Sequence, residues 1–201
     1  MKFNIIGLAY LFLRLAPFII VSFFTLNSFF NQDFKGLIYL AGLLLALTFN
    51  ILIGNSLGFE GKSEDASEIC RMIELGENQE FSKLPMGQCI LGYTFFYLLY
   101  VIVKYKYVLY NLPTIIFFPI LILTDIFWNA NNGCFNMLSL GTSLVIGLIF
   151  GLLWAIVIDS MKLTSLQYFN NVAGNDVCKR PSNQTFKCNV YKNGKLLGKN
   201  V

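Results

Sequence analysis

The sequence predicts an all-α integral membrane protein: a five-span helical bundle followed by a short C-terminal hairpin-like tail. Three observations carry this. Long apolar stretches fill most of the 201 residues, charged residues make up only 13% of them, and the charged and Asn-rich segments fall between the stretches. Ordinary soluble domains carry ~25% charged residues. A helix rises ~1.5 Å per residue, so ~20 apolar residues cross a ~30 Å hydrocarbon core. Only helices or closed barrels satisfy their backbone groups in lipid, and these runs lack the alternation of barrel strands.

The first span is expected from Ile5 to Phe30. Lys2 ahead of an apolar run resembles a signal peptide, but Arg14 interrupts the run and no small-residue cleavage site follows, so an uncleaved span is expected. Pro17 lies inside it and can kink it. The second span runs from Leu37 to Gly54. An outer loop, 55–84, separates it from the third and carries seven acids: Glu60, Glu64, Asp65, Glu68, Glu74, Glu77 and Glu80. Within that loop Ala66, Ile69, Met72 and Ile73 recur at helical spacing, which predicts a short amphipathic helix over Ser63 to Glu77. The third span runs from Pro85 to Val103. The fourth, Leu112 to Trp128, contains Pro119 and Asp125. The fifth, Met137 to Ile158, carries Gly147 and Gly151 in a G-x-x-x-G pair, read as a close helix contact.

Residues 1–158 thus form the bundle and 159–201 a basic tail. In the tail, Lys187 to Leu197 alternates apolar and polar residues around Lys192-Asn193-Gly194-Lys195. Asn-Gly between short β-prone runs is a strong hairpin signal, because both residues tolerate positive φ.

Charge sets the expected orientation. The N-terminus, the 55–84 loop and the Asn129 to Asn136 loop share one face with four basic residues, whereas the opposite face and the tail hold ten. The positive-inside rule puts the tail in the cytoplasm and the N-terminus outside or in a lumen, in an endomembrane or a viral internal membrane. The Asn183-Gln184-Thr185 sequon then lies on the cytoplasmic side. The basic residues are divided among separate loops, so the net charge of +4 is no nucleic-acid signature.

Candidate chemistry is sparse. The sequence holds no histidine and five cysteines. Cys70, Cys89 and Cys134 fall on the outer face, where one bridge among the three is an option. Cys178 and Cys188 in the tail read as ordinary thiols or as a disulfide pair; two thiolates without histidine leave a tetrahedral zinc site incomplete. No cofactor or metal is expected. Arg14 and Asp125 are the ionisable residues within the spans, where charge is costly. Asp125, near the outer helix end, is expected to be a solvated carboxylate, and Arg14 to snorkel along its stem.

The segment Lys83-Leu84-Pro85-Met86-Gly87-Gln88, opening a span, resembles the Pro-Ser-Gly-His motif of the type 2 phosphatidic acid phosphatase superfamily, especially its dolichyl-diphosphatase-like branch. Pro85 and Gly87 match; Met86 and Gln88 stand where that family has Ser and His. Asp125 to Gly151 occupies the place of its later loop and last helix. The resemblance covers about half the chain and implies a degenerate outer-face site of Pro85, Gly87, Gln88, Asp125 and Asn131, with a lipid head group as its ligand. Those enzymes use one histidine as nucleophile and another for proton transfer, and this chain has neither. The tail from Cys178 to Gly194 is similar to tails of membrane proteins of large DNA viruses.

The expectation is a non-enzymatic multi-span membrane protein, a catalytically inactive lipid-phosphatase-like scaffold or viral internal-membrane protein, with the bilayer and a protein docked on the tail as partners. The alternatives are a lipid-phosphate phosphatase-like enzyme with unusual residues and, more weakly, a thiol enzyme using Cys89.

Overall fold

The computed structural model describes residues 5–59, 70, 82–168, 189–192 and 195–199. Five helices follow one another: α1 (Ile5–Phe30), α2 (Lys35–Ser56), α3 (Met86–Lys104), α4 (Leu112–Asn131) and α5 (Met137–Ser160). Each is long and apolar enough to cross a bilayer. Their outward faces stay apolar: Phe12, Phe23, Leu44, Ile120, Leu123, Phe127, Val145 and Leu153 are all exposed. A water-soluble bundle would put charge there, whereas lipid tails accept such a surface. The predicted amphipathic helix over Ser63 to Glu77 lies outside the described residues apart from Cys70.

The helices pack around α3. In its most apolar window 67% of residues are buried, against 22–33% for the other four helices. The α3–α5 pair is parallel and in register. Ser143 Oγ donates to the Pro85 carbonyl (2.6 Å), and added Cβ atoms at Gly147 and Gly151 would run into the backbone of Cys89 and Tyr93. All three contacts share one offset of 58 residues (143 − 85, 147 − 89 and 151 − 93). From the other side, an added Cβ on Gly92 would sit 2.9 Å from the Leu144 carbonyl oxygen. The G-x-x-x-G pair therefore brings two backbones together, the use to which membrane helices put small residues.

The α2 helix lies antiparallel to α3. Tyr93 Oη donates to the Tyr39 carbonyl (3.0 Å), Tyr39 Oη hydrogen-bonds Thr94 Oγ1 (2.6 Å), and Cys89 Sγ approaches the Ala46 carbonyl (3.9 Å). Trp154 Nε1 of α5 donates to the Ile38 carbonyl (2.9 Å). These side chains are amphipathic: their rings fill the core, with Tyr93 and Tyr97 stacked, while the polar tips of Tyr93 and Trp154 find backbone carbonyls and that of Tyr39 finds Thr94.

Each of these five α-helices is followed by a left-handed residue. In α4, Gly133 (φ 65°) closes a Schellman motif in which Cys134 N–H donates to the Asn129 carbonyl (2.9 Å) and Gly133 N–H to the Ala130 carbonyl (3.3 Å). Gly58 (φ 65°) follows α2. At the opposite end of the bundle the same position holds Gln32 (φ 53°) after α1, Lys106 (φ 59°) after α3 and Lys162 (φ 58°) after α5. The pattern of bonds is the same there: Asp33 N–H to Ser28, Tyr107 N–H to Ile102 and Leu163 N–H to Ile158. A non-glycine residue in this conformation costs roughly 1–2 kcal/mol.

Lys104 of α3 pairs with Asp159 of α5, and Tyr100 Oη (3.2 Å) and Tyr105 Oη (3.0 Å) also donate to Asp159. Burial, with the Asp159 charge beside it, pushes the Tyr105 phenol up. The chain divides into two units, 1–170 and 171–201. In the second, β1 (Asn189–Lys192) pairs antiparallel with β2 (Lys195–Lys199), Lys192 opposite Lys195. Cys178, Cys188, Asn193 and Gly194 lie outside the described residues.

Candidate functional site

A buried polar cluster lies where α3 begins and α4 ends. Gln88 sits in the first turn of α3 and is fully buried. Its Nε2 donates to Asp125 Oδ2 at 2.6 Å, with a second, long contact to the Ile122 carbonyl at 3.4 Å. Asp125 is itself 9% exposed. It is therefore a buried carboxylate rather than the solvated helix-end group that the sequence suggests. The half-buried Arg14 of α1 acts on it electrostatically. Asn129, one turn further along α4 and buried, donates from Nδ2 to the Asp125 carbonyl (2.8 Å).

The five residues of the expected degenerate site separate into two groups. Gln88 and Asp125 touch directly. Pro85 takes part through its backbone, as the N-cap of α3 and as acceptor for Ser143. Gly87 packs on α1, where an added Cβ would lie 3.4 Å from Pro17 Cγ. Asn131 stands apart: it is exposed at the last residue of α4, and Asn129 has the inward position instead. The physical reason is helical phase. Residue 129 lies four beyond 125 and shares its face, whereas 131 is turned well away.

One further polar residue lies outside the sequence-based reading. Asn50 of α2 is fully buried, and neither its Oδ1 nor its Nδ2 has a hydrogen-bond partner; Gln88 Oε1 is likewise unpartnered. The signal for Asn50 is its phase. It continues the inward stripe of Tyr39, Leu43 and Ala46 by one turn.

Cys70 and Cys134 form a disulfide across a separation of 64 residues, with Cα atoms 5.5 Å apart. It ties the long loop to the α4–α5 turn, two elements that share one end of the bundle. Cys89 is a buried free thiol inside the core and faces a carbonyl, not an opening. An open groove of about 600 Å³ lies between α2 and α5, lined by Ile53, Leu138, Gly141, Thr142 and Val145. It is apolar and includes none of the polar residues described above. Among the described residues no three carboxylate, thiol or imidazole groups stand together as a metal site would need. Chemically, the Gln88–Asp125–Asn129 arrangement can hold helices together, but Gln88 cannot act as a phosphoryl acceptor. Compared with known proteins, the chain matches no described family, no curated protein and no solved structure.

Proposed function

We propose that this chain is a five-span integral membrane protein whose bundle serves as a scaffold rather than an enzyme. The observation that carries the reading is the Gln88–Asp125 hydrogen bond, sealed between α3 and α4 at the place where a catalytic pair would need access to substrate. A buried carboxylate held by a carboxamide acts as interhelical glue in lipid. The absence of histidine supports the same view. On this reading the resemblance to the type 2 phosphatidic acid phosphatases reflects inherited architecture without the chemistry. The basic second unit is then the part that contacts a cytoplasmic or virion protein.

Two independent features support the orientation. The basic residues divide ten to four in favour of the tail face. The Cys70–Cys134 bridge lies at the opposite end, and disulfides persist in oxidising compartments, not in the cytosol. Both support a reading in which the long loop lies outside or in a lumen.

The functional test is phosphate release by purified, reconstituted protein from phosphatidic acid and isoprenyl diphosphates. No release is expected. Release that disappears with Asp125→Asn would overturn the scaffold reading in favour of an unusual phosphatase. For orientation, a membrane-impermeant maleimide applied after reduction should label Cys70 and Cys134 from the non-cytoplasmic side, and labelling from the cytoplasmic side alone would reverse the topology.

A further inference from the structure

We propose that the bundle end formed by the C-termini of α3 and α5 binds anionic phospholipid head groups through Lys106 and Lys162. The proposal rests on the five-span reading and goes beyond it, since spanning a membrane requires no preference for lipid charge.

The argument begins with the backbone. All five helices stop in the left-handed conformation, and glycine meets that demand at least cost. The two ends on the disulfide face use Gly58 and Gly133, whereas Lys106 and Lys162 stand in the same position at the ends of α3 and α5. Their side chains bring charge, which can offset that backbone penalty. Part of that offset comes from the helix dipole, which favours a cation beside the last turn. An intramolecular ion pair is not the rest. The two described carboxylates at this end are taken, Asp33 by Lys35 (3.5 Å) and Asp159 by Lys104. Lys106 and Lys162 are exposed and have no carboxylate partner among the described residues.

The surroundings fit a bilayer interface. The Lys104–Asp159 pair joins the two helix ends, so the free cations lie two and three residues beyond one shared junction. Around them Leu109 (80%), Tyr110 (79%) and Met161 (62%) are exposed. Apolar and phenolic side chains beside flexible ammonium groups match the layer where acyl chains give way to phosphates. The Schellman bonds already occupy carbonyls of these ends, and each full lysine charge exceeds the half charge of a helix terminus. The net field at the junction therefore attracts phosphate.

The test uses the full chain, solubilised and titrated with phosphatidylglycerol or phosphatidylcholine, with bound lipid read by native mass spectrometry. At about fivefold per lysine, phosphatidylglycerol should bind roughly 25-fold more tightly than phosphatidylcholine at low salt. Lys106→Gly and Lys162→Gly should each lose about fivefold, and Lys→Arg at either site should retain the preference. Glycine suits the left-handed backbone, so these variants keep the fold. Gln32→Gly relieves the same strain without removing charge and should leave binding unchanged. Equal binding of the two lipids, or glycine variants as selective as the parent, would overturn the proposal. Separately, failure of the chain to float with phosphatidylcholine vesicles after carbonate extraction would sink the five-span reading itself.

Discussion

The two seams on either side of α3 are built by opposite means. Toward α5, glycines let backbone meet backbone, and Gly147 and Gly151 leave no room for a methyl group. Toward α4, contact is made by long side chains, with Phe95 stacked on Phe118 and Gln88 reaching Asp125. In lipid neither seam gains from excluding water, so one relies on dispersion at close range and the other on a polar pair that hydrocarbon cannot solvate. The first should fail when volume is added, and the second when one partner is removed.

Adding volume should have the larger effect. Gly147→Leu drives a side chain into the Cys89 carbonyl region, and overpacking against backbone should cost about 3 kcal/mol in reversible unfolding in mixed micelles. The same substitution at Gly141, which has open space around its Cα, should be nearly neutral. Equal losses at both positions would break the contrast between seam and lipid-facing surface.

Removing a partner comes next. Gln88→Leu leaves the Asp125 carboxylate without its shortest hydrogen bond and should cost about 2 kcal/mol in the same assay. Asn50→Leu tests the opposite sign. Both polar atoms of Asn50 lack a partner, so a similar-sized apolar side chain should stabilise the bundle by about 1 kcal/mol. A loss there would reveal a partner and enlarge the polar seam.

The smallest effect concerns pH. Tyr168 hydrogen-bonds the Phe24 carbonyl, and burial, reinforced by the charge of Asp33, pushes its phenol from 10.0 up to about 12. The folded state holds the neutral form, so this contribution is intact below pH 10 and is lost as pH rises from 10 toward 12. Tyr168→Phe should flatten the unfolding profile in that window, and an unchanged slope would remove Tyr168 from the account.

Much of this architecture was legible as length and hydropathy. The predicted first span, Ile5 to Phe30, coincides with α1, and the other four helices lie within three residues of their expected ends. The G-x-x-x-G spacing pointed to the closest seam. Pairing was harder to read. Asp125 near a helix end suggests solvent, because its hydropathy window cannot reveal Gln88 arriving from a helix 37 residues away. The sequence reading puts Asn129 and Asn131 in one loop, whereas α4 continues to Asn131, so helical phase separates the two. The disulfide needed coordinates too, since three outer-face cysteines allow three pairings and only geometry selects Cys70 with Cys134.

The most direct measurement is a double-mutant cycle on Gln88 and Asp125 in reconstituted protein. If the pair is an interhelical joint, Gln88→Leu and Asp125→Leu should each lose about 2 kcal/mol. The double variant should then return to within about 1 kcal/mol of the parent, because an apolar pair of similar volume fills the seam. Strictly additive losses of about 4 kcal/mol would contradict it, since they would mean that the two side chains do their work separately.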